Sequence, residues 1–236
     1  WRAPRPGKRR RTVQDRAMTV LHLTLHDLDG ARPASVPVQT LIIAGWTGRD
    51  PAAVQAHIDE LAALGVRPPL TVPVYYRAAA SRLTMAGHIQ VTGPNTSGEA
   101  EFALLRHEGR LWVLAGSDHT DRTAETYDVT VSKQMCDKPV SAGAWALASV
   151  AGHWDQLRLR SWADGVLYQD GPVSALLGVA ALVAGTDQLS DGAMLFGGTV
   201  PVLGGIRHAD TFRVTLADPV LNRSLTVDYL TEYVRS

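Results

Sequence analysis

Short apolar runs with the alternation of β-strands recur along the chain, whereas helical periodicity is rare. Such runs place their apolar side chains on one face, so they need sheets that cover one another. Asp50–Gly65 predicts a helix, because it has an acidic cap, an early proline and a closing glycine. Pro172–Ala184 predicts a second helix. The fold class is therefore predicted to be α+β and β-rich, with strands at Met18–Leu28, Val38–Ala44, Phe102–Leu105, Leu111–Ala115, Tyr127–Val131, Gln156–Trp162, Thr211–Leu216 and Ser224–Leu230.

Length and charge suggest how the chain is divided. With 236 residues it can bury a sizeable core, and no repeat, low-complexity segment or clear linker interrupts it. We therefore predict a single domain over residues 18–236, with room for a small N-terminal lobe over residues 18–80. Residues 1–17 hold seven of the 23 basic residues and one of the 23 acidic residues. They are interpreted as a disordered or non-native extension, with a genuine basic tail as the alternative.

The composition argues against several classes of partner. From Met18 onward acidic residues outnumber basic ones by six, which disfavours nucleic acid because phosphate recognition needs a cationic face. Apolar stretches are too short to span a bilayer and no signal-peptide pattern is found, so we expect a cytoplasmic protein without a membrane partner. Cys136 is the only cysteine, which excludes an intramolecular disulfide and a cysteine-built zinc site.

Two carboxylates stand two positions apart at the start of one predicted strand. Glu99 and Glu101 share a strand face, where repulsion at about 4 Å and a dielectric near 20 is on the order of 4 kcal/mol. If the strand pairs with Leu111–Ala115 through residues 106–110, Asp118 returns toward Glu99. Three such oxygen ligands suit Mg²⁺, Mn²⁺ or Ca²⁺ better than Zn²⁺, and the cation would offset the repulsion. The alternative is three solvated acids near a sheet edge.

Three motifs in order resemble the fumarylacetoacetate hydrolase (FAH) superfamily. Ser97–Leu105 is similar to its Glu-x-Glu-Leu strand, and Gly116–Arg122 to its Asn-Asp-x-Thr-x-Arg turn. Phe196–Leu216 is similar to its Thr-Gly-Thr-Pro loop with the Gly-Asp turn and alternating strand that follow. The resemblance runs from about Leu41 to the C-terminus and suggests a bacterial branch. It implies an FAH-like mixed β-sandwich roll with few short helices, and a homodimer.

The resemblance also implies a metal centre. Carried over residue by residue, the metal ligands are Glu99, Glu101 and Asp118, and the cofactor is Mg²⁺ or Mn²⁺, with Ca²⁺ also open. The connection to the third ligand is shorter than in the family. Ser117 stands where the family usually has Asn, and Thr123 where Asp is common.

His57 and Glu60 resemble the His-x-x-Glu pair of the members that cleave carbon–carbon bonds. In those members the pair closes over the metal and activates a water molecule. The i, i+3 spacing places both side chains on one helical face, where the glutamate could orient the imidazole as a general base. The alternative is an exposed pair on a surface helix.

Four further residues receive site roles from the resemblance. Lys133 resembles the lysine that neutralises the developing oxyanion, with Lys138 as the alternative assignment. Thr199 matches the threonine that contacts the substrate carboxylate. Arg122 has two interpretations, a clamp on the substrate carboxylate or an ion-pair partner of a ligand carboxylate. His119 is expected to line the site and bind substrate.

Three functions follow as hypotheses. The first is a divalent-metal-dependent hydrolase or lyase that acts on a small 2-oxo or β-dicarbonyl acid, whose enolate the cation stabilises. The second uses the same metal and enolate for isomerisation, decarboxylation or hydration. The third is a metal-binding or small-acid-binding protein without turnover. The His57 and Glu60 pair favours the first over the second.

Overall fold

The computed structural model describes residues 18–63 and 68–234, so the prediction for residues 1–17 lies outside the described residues. The helices are α1 (Pro51–Ala63), α2 (Arg122–Tyr127), α3 (Val129–Met135) and α4 (Val179–Ala184), with 3₁₀ turns at Ala80–Arg82, Leu147–Ser149, Ala151–Gln156 and Val173–Ala175. The strands are β1 (Thr19–Asp27), β2 (Gly30–Val38), β3 (Thr40–Gly45), β4 (Val74–Ala78), β5 (Leu83–Thr84), β6 (His88–Val91), β7 (Thr96–Ser97), β8 (Ala100–His107), β9 (Arg110–Ser117), β10 (Thr120–Asp121), β11 (Lys138–Pro139), β12 (Gly143–Ala146), β13 (Arg158–Ala163), β14 (Val166–Pro172), β15 (Ala193–Thr199), β16 (Thr211–Asp218) and β17 (Arg223–Tyr233).

Two mixed sheets account for most of the described strands. Eight strands pair in the order β2-β1-β12-β9-β8-β15-β3-β4, and five pair in the order β14-β13-β16-β17-β6. The strand pairs β1/β12, β3/β15 and β6/β17 are parallel, and the other ladders within these two sheets are antiparallel. The prediction of a β-rich α+β fold with few short helices is confirmed.

The strand β8 lies near the middle of the larger sheet and is buried on both faces. Phe102 and Leu104 pack in the cluster that includes Val214 and Leu216 of the smaller sheet. The alternate residues of β8 belong to a second cluster on the other face, built with β1, β2 and β9. Because side chains of β8 pack on both faces of the larger sheet, the strand that follows Glu99 is held firmly in place.

The predicted strand Tyr127–Val131 is wrong, because these residues belong to α2 and α3 and the residue that joins them. Asp121 accepts a hydrogen bond from the Ala124 N–H and caps α2, and Asp128 caps α3 through the Val131 N–H. The β-branched residues suggested a strand, but two aspartates at N-cap positions satisfy the first backbone donors of short helices.

Other elements agree with the sequence more closely. The helix α1 lies within the predicted Asp50–Gly65 segment, and β8 pairs with β9 as the predicted hairpin. The predicted helix Pro172–Ala184 is divided, because a 3₁₀ turn at Val173–Ala175 precedes α4. No helix among the described residues has both the length and the apolarity needed to cross a membrane.

Candidate metal centre

The hairpin β8–β9 brings the three predicted carboxylates together. Glu99 precedes β8, Glu101 is its second residue and Asp118 follows β9. The Asp118 N–H donates to the Glu99 carbonyl at 3.0 Å, which fixes the two chain segments side by side. One carboxylate oxygen from each residue lies within 4.8 Å of the others. The convergence that the hairpin predicted is therefore present.

The burial of this cluster makes its charge costly. Glu101 is 2% exposed and Asp118 is fully buried, while the Glu99 side chain is 17% exposed. Burial, followed by the charges of Asp118 and Glu99, raises the pKa of Glu101 well above its usual range. The Gly198 N–H opposes this rise by donating to Glu101 Oε2 at 2.7 Å. Glu101 is therefore the member of the cluster whose ionisation is opposed at this place.

Two buried lysines contact Asp118. Lys133 Nζ donates to Asp118 Oδ2 and lies 3.7 Å from Glu99 Oε2, whereas Lys138 Nζ lies 2.9 Å from Asp118 Oδ1 and donates to the His119 carbonyl. Burial alone would raise the pKa of Asp118, but the two ammonium groups hold it below its usual range. Both lysines weighed from the sequence therefore reach the cluster through Asp118, and Lys133 also approaches Glu99.

Arg122 contacts the cluster through Glu99. Its Nη1 lies 3.0 Å from Glu99 Oε1 and donates to Glu125 Oε2 at 2.8 Å, and its Nε donates to Ser97 Oγ at 2.8 Å. Burial opposes the charge of Arg122, but these carboxylates raise its pKa above the usual value. Of the two interpretations of Arg122, this geometry agrees with the ion-pair partner of a candidate ligand carboxylate.

The last two residues of β15, Gly198 and Thr199, complete the site. Gly198 has φ +101°, and a Cβ there would lie 1.8 Å from Thr47 Oγ1, so only glycine fits and its N–H can reach Glu101. The next residue, Thr199, donates to the Ala100 carbonyl at 2.9 Å and accepts from Gln169 Nε2 at 2.7 Å. A hydroxyl has one hydrogen. In this arrangement the Thr199 hydroxyl donates its hydrogen to the protein backbone, and its contact with a substrate carboxylate stays a prediction.

His119 is likewise directed into the protein. Its ring is fully buried, with Nδ1 3.0 Å from the Tyr229 hydroxyl and an edge contact to Phe212. Burial lowers the pKa of His119 to about 3, which keeps the ring neutral. The described contacts of the His119 ring are thus with residues of the smaller sheet, and its predicted contact with substrate stays a prediction.

The predicted dyad lies on α1, but the side chains of His57 and Glu60 lie outside the described structure. The start of α1 borders a cavity of about 300 Å³, whose lining includes Trp46, Val54 and Leu177. Leu177 in the cavity wall donates its N–H to the carbonyl of Thr47, the residue that packs on Gly198.

Sequence reasoning missed three residues around this centre. Glu125 contributes a fourth carboxylate, 4.0 Å from Lys133 Nζ. Burial raises the pKa of Tyr76, and a hydrogen bond with Trp46 and then the charge of Lys133 oppose that rise. Gln169 reaches the site from β14 and bonds the Ala100 N–H. The i, i+3 spacing of Glu125 and Arg122 was a usable signal, whereas Tyr76 and Gln169 come from distant strands and carried none.

A family model covers most of the chain and contains the whole carboxylate cluster. The model described as "Protein of unknown function (DUF2848)" matches residues 44–229. The chain belongs to the DUF2848 family. No curated protein matches it significantly.

Solved structures show which fold this DUF2848 protein has. A protein from Oleispira antarctica described as a candidate fumarylacetoacetate isomerase/hydrolase has a TM-score of 0.68 at 19% identity, covering 89% of this chain and 99% of its own. The 5-carboxymethyl-2-hydroxymuconate delta-isomerase of Mycobacterium smegmatis has a TM-score of 0.64 at 19% identity, covering 88% and 82%. Fumarylpyruvate hydrolase of Pseudomonas aeruginosa, solved with Mn²⁺ and pyruvate, has a TM-score of 0.60 at 16% identity, covering 89% and 97%. The FAH-like fold implied by the sequence motifs is therefore confirmed.

Proposed function

We propose that this DUF2848 protein is a divalent-metal-dependent enzyme that acts on a small 2-oxo or β-dicarbonyl acid. The observation that carries the proposal is the convergence of Glu99, Glu101 and Asp118 within 4.8 Å in an FAH-like fold. The Pseudomonas aeruginosa hydrolase of the same fold binds Mn²⁺ and pyruvate, a 2-oxo acid. We propose that the three carboxylates of this chain bind a divalent cation that in turn binds a 2-oxo acid.

The residues present fit a hard divalent cation. Glu99, Glu101 and Asp118 would supply carboxylate oxygens, which suit Mg²⁺ or Mn²⁺, with Ca²⁺ also acceptable. Burial beside Asp118 and Glu99 raises the pKa of Glu101, and a divalent cation bound beside it would favour its ionised form. When bound, the cation would draw electron density from the oxygens of a 2-oxo acid and so favour its enolate.

Lys133 and Arg122 would stabilise the negative charges of the substrate and of the metal ligands. Lys133 is buried among the carboxylates, whose charges raise its pKa despite the opposing effect of burial, so it stays an ammonium. We propose that it holds part of the negative charge of an enolate or tetrahedral oxyanion. Arg122 would hold Glu99 in place through its 3.0 Å contact.

We propose that His57 and Glu60 activate the water in a hydrolytic reaction. Their helix α1 borders the cavity lined by Trp46, Val54 and Leu177, where an uncharged part of the substrate would fit. In this role Glu60 orients the imidazole, and His57 takes a proton from water as the water oxygen bonds to the carbonyl carbon and the C=O π electrons move to the carbonyl oxygen. When that tetrahedral oxyanion collapses, the C=O bond re-forms and the adjacent carbon–carbon bond breaks, which releases a carboxylic acid and an enolate that takes the proton back from His57. General-base catalysis contributes about 10²–10⁴-fold, so His57→Ala should lose activity on that scale and keep metal affinity.

Isomerisation is the second candidate, because the Mycobacterium smegmatis delta-isomerase has the same fold. An isomerase moves a proton and incorporates no water into a cleaved fragment. The reaction run in ¹⁸O-labelled water separates the two: label in a released carboxylic acid, beyond slow ketone exchange, supports hydrolysis. Its absence in the presence of turnover eliminates hydrolysis and leaves isomerisation or decarboxylation.

The enzyme proposal itself is tested by turnover on a panel of acylpyruvates and β-oxo acids with Mn²⁺ or Mg²⁺. We expect activity in the parent and in Glu108→Gln, an exposed glutamate on the turn of the same hairpin, and its loss in Glu101→Gln. Equal turnover in Glu101→Gln would contradict the site. Metal binding without turnover on any acid would favour the third hypothesis, a binding protein.

Two further expectations stay proposals. A homodimer is proposed from the resemblance to the FAH superfamily, and a cytoplasmic location from the sequence. The acidic body remains the reason for expecting no nucleic-acid partner.

A further inference from the structure

Ala100 lies between two of the proposed ligands, and side chains bond both of its backbone polar groups. Its N–H donates to Gln169 Oε1 at 2.8 Å, and its carbonyl accepts from Thr199 Oγ1 at 2.9 Å. The ladder between β8 and β15 shifts register between Phe196 and Thr199, at this same level. Two side chains therefore replace the regular ladder where the carboxylates leave the sheet.

The amide of Gln169 is fully committed to this arrangement. It is completely buried, and its Oε1 also accepts from Ser161 Oγ at 2.8 Å. Its Nε2 donates to Thr199 Oγ1 at 2.7 Å and to the Val200 carbonyl at 2.6 Å. Two acceptor sites and two donors exhaust the capacity of an amide, so its orientation is fixed. Gln169 thereby connects β13 and β14 of the smaller sheet to the carboxylate strand of the larger one.

We propose that Gln169 and Thr199 form a clamp on Ala100 that positions the Glu99 and Glu101 carboxylates for a divalent cation. Both are positioning residues, and the inference rests on the proposed metal-dependent function. A small cation needs its ligand oxygens held in place, and residues that hydrogen-bond around ligands commonly contribute to affinity. The clamp also holds the backbone next to Gly198, whose N–H donates to Glu101 Oε2.

A matched pair of variants at Thr199 tests the clamp. Thr199→Val keeps the shape but removes the hydroxyl, which leaves the Ala100 carbonyl and a Gln169 N–H unpaired. Thr199→Ser keeps the hydroxyl. We expect the Kd for Mn²⁺, measured by calorimetry, to rise about 10-fold or more in Thr199→Val. Thr199→Ser should retain the parent affinity. The electron paramagnetic resonance spectrum of bound Mn²⁺ should change in Thr199→Val alone, because its zero-field splitting reports ligand geometry.

A second pair separates positioning from general stability. Gln169→Met removes the amide that holds Ala100, whereas Ser161→Ala removes another buried partner of the same amide without touching the carboxylate strand. We expect both variants to lose thermal stability and only Gln169→Met to lose Mn²⁺ affinity. If Gln169→Met does not fold, the two Thr199 variants decide.

The outcomes distinguish this inference from the function on which it rests. A parent protein that binds no Mn²⁺ overturns both. A parent that binds Mn²⁺, with Glu101→Gln that does not, supports the metal site. If Thr199→Val then matches Thr199→Ser in affinity and spectrum, the clamp is wrong while the metal site stands.

Discussion

Replacing Glu101 by glutamine should stabilise the protein without metal and remove its response to metal. At 4.8 Å and an effective dielectric near 20, each pair of like charges repels by about 3.5 kcal/mol. Glu101 faces two such charges, from Asp118 and Glu99, and Lys133 and a raised pKa relieve most of that repulsion. We expect neutralisation to stabilise the protein by about 2 kcal/mol, because glutamine can still accept a hydrogen bond from the Gly198 N–H.

The assay is thermal unfolding at pH 8, with a chelator and then with excess Mn²⁺. For a chain of this length about 2 kcal/mol corresponds to a rise in Tm of about 4–8 °C, so Glu101→Gln should unfold above the parent in chelator. Mn²⁺ at a hundred times its Kd stabilises the parent by about 2.7 kcal/mol and should reverse that order. Exposed Glu108→Gln serves as the control and should follow the parent in both conditions.

Two results would refute this reasoning. A Glu101→Gln protein that is less stable than the parent in chelator would show that the carboxylates do not repel one another as their burial implies. Equal stabilisation of parent and variant by Mn²⁺ would place the metal elsewhere.

Three further predictions follow from the described contacts. Gly198→Ala should lower the free energy of unfolding by about 2 kcal/mol or more, because Gly198 has φ +101° and an added Cβ would collide with Thr47. Gly109→Ala is the control, since Gly109 has φ +70° but open space around it, and the same denaturant titration should show a smaller loss. Burial opposes the charge of Asp218, but hydrogen bonds from His153, the backbone and an arginine lower the pKa of its carboxyl below 3.8. The contribution of Asp218 to stability is therefore present above that pH and lost as the pH falls through the lowered pKa. The difference in unfolding free energy between the parent and Asp218→Asn should shrink as the pH falls below about 4, and a constant difference would contradict the assignment. Sedimentation at micromolar concentration should show a dimer, and a single species of 25.4 kDa would contradict it.

The sequence predicted the part of the site that depends on local geometry. Strand alternation and the short 106–110 turn were sufficient to bring Asp118 back to Glu99, because a hairpin fixes its own register. The same reasoning missed the burial of Glu101, since two-sided burial depends on how the second sheet packs. It also could not find the contact between Gln169 and Thr199, because the two residues come from strands far apart in the sequence.

The wrong strand at Tyr127–Val131 has a different cause. The prediction weighted the β-branched residues of the segment above Asp121 and Asp128, the two N-caps that start α2 and α3. Capping is a local signal that was available in the sequence. The helix α1 that carries the predicted dyad was predicted correctly, but the side chains of the dyad lie outside the described structure, so the dyad stays a prediction.

The two-sided burial of β8 has a consequence for how slowly the strand that carries Glu101 opens. A strand in the middle of the larger sheet, packed on both faces, opens only when much of the protein opens with it. The amide protons of Phe102–Leu105 should therefore be among the slowest to exchange with deuterium. Glu101, the second residue of this strand, would therefore lie on a rigid wall of the proposed metal site.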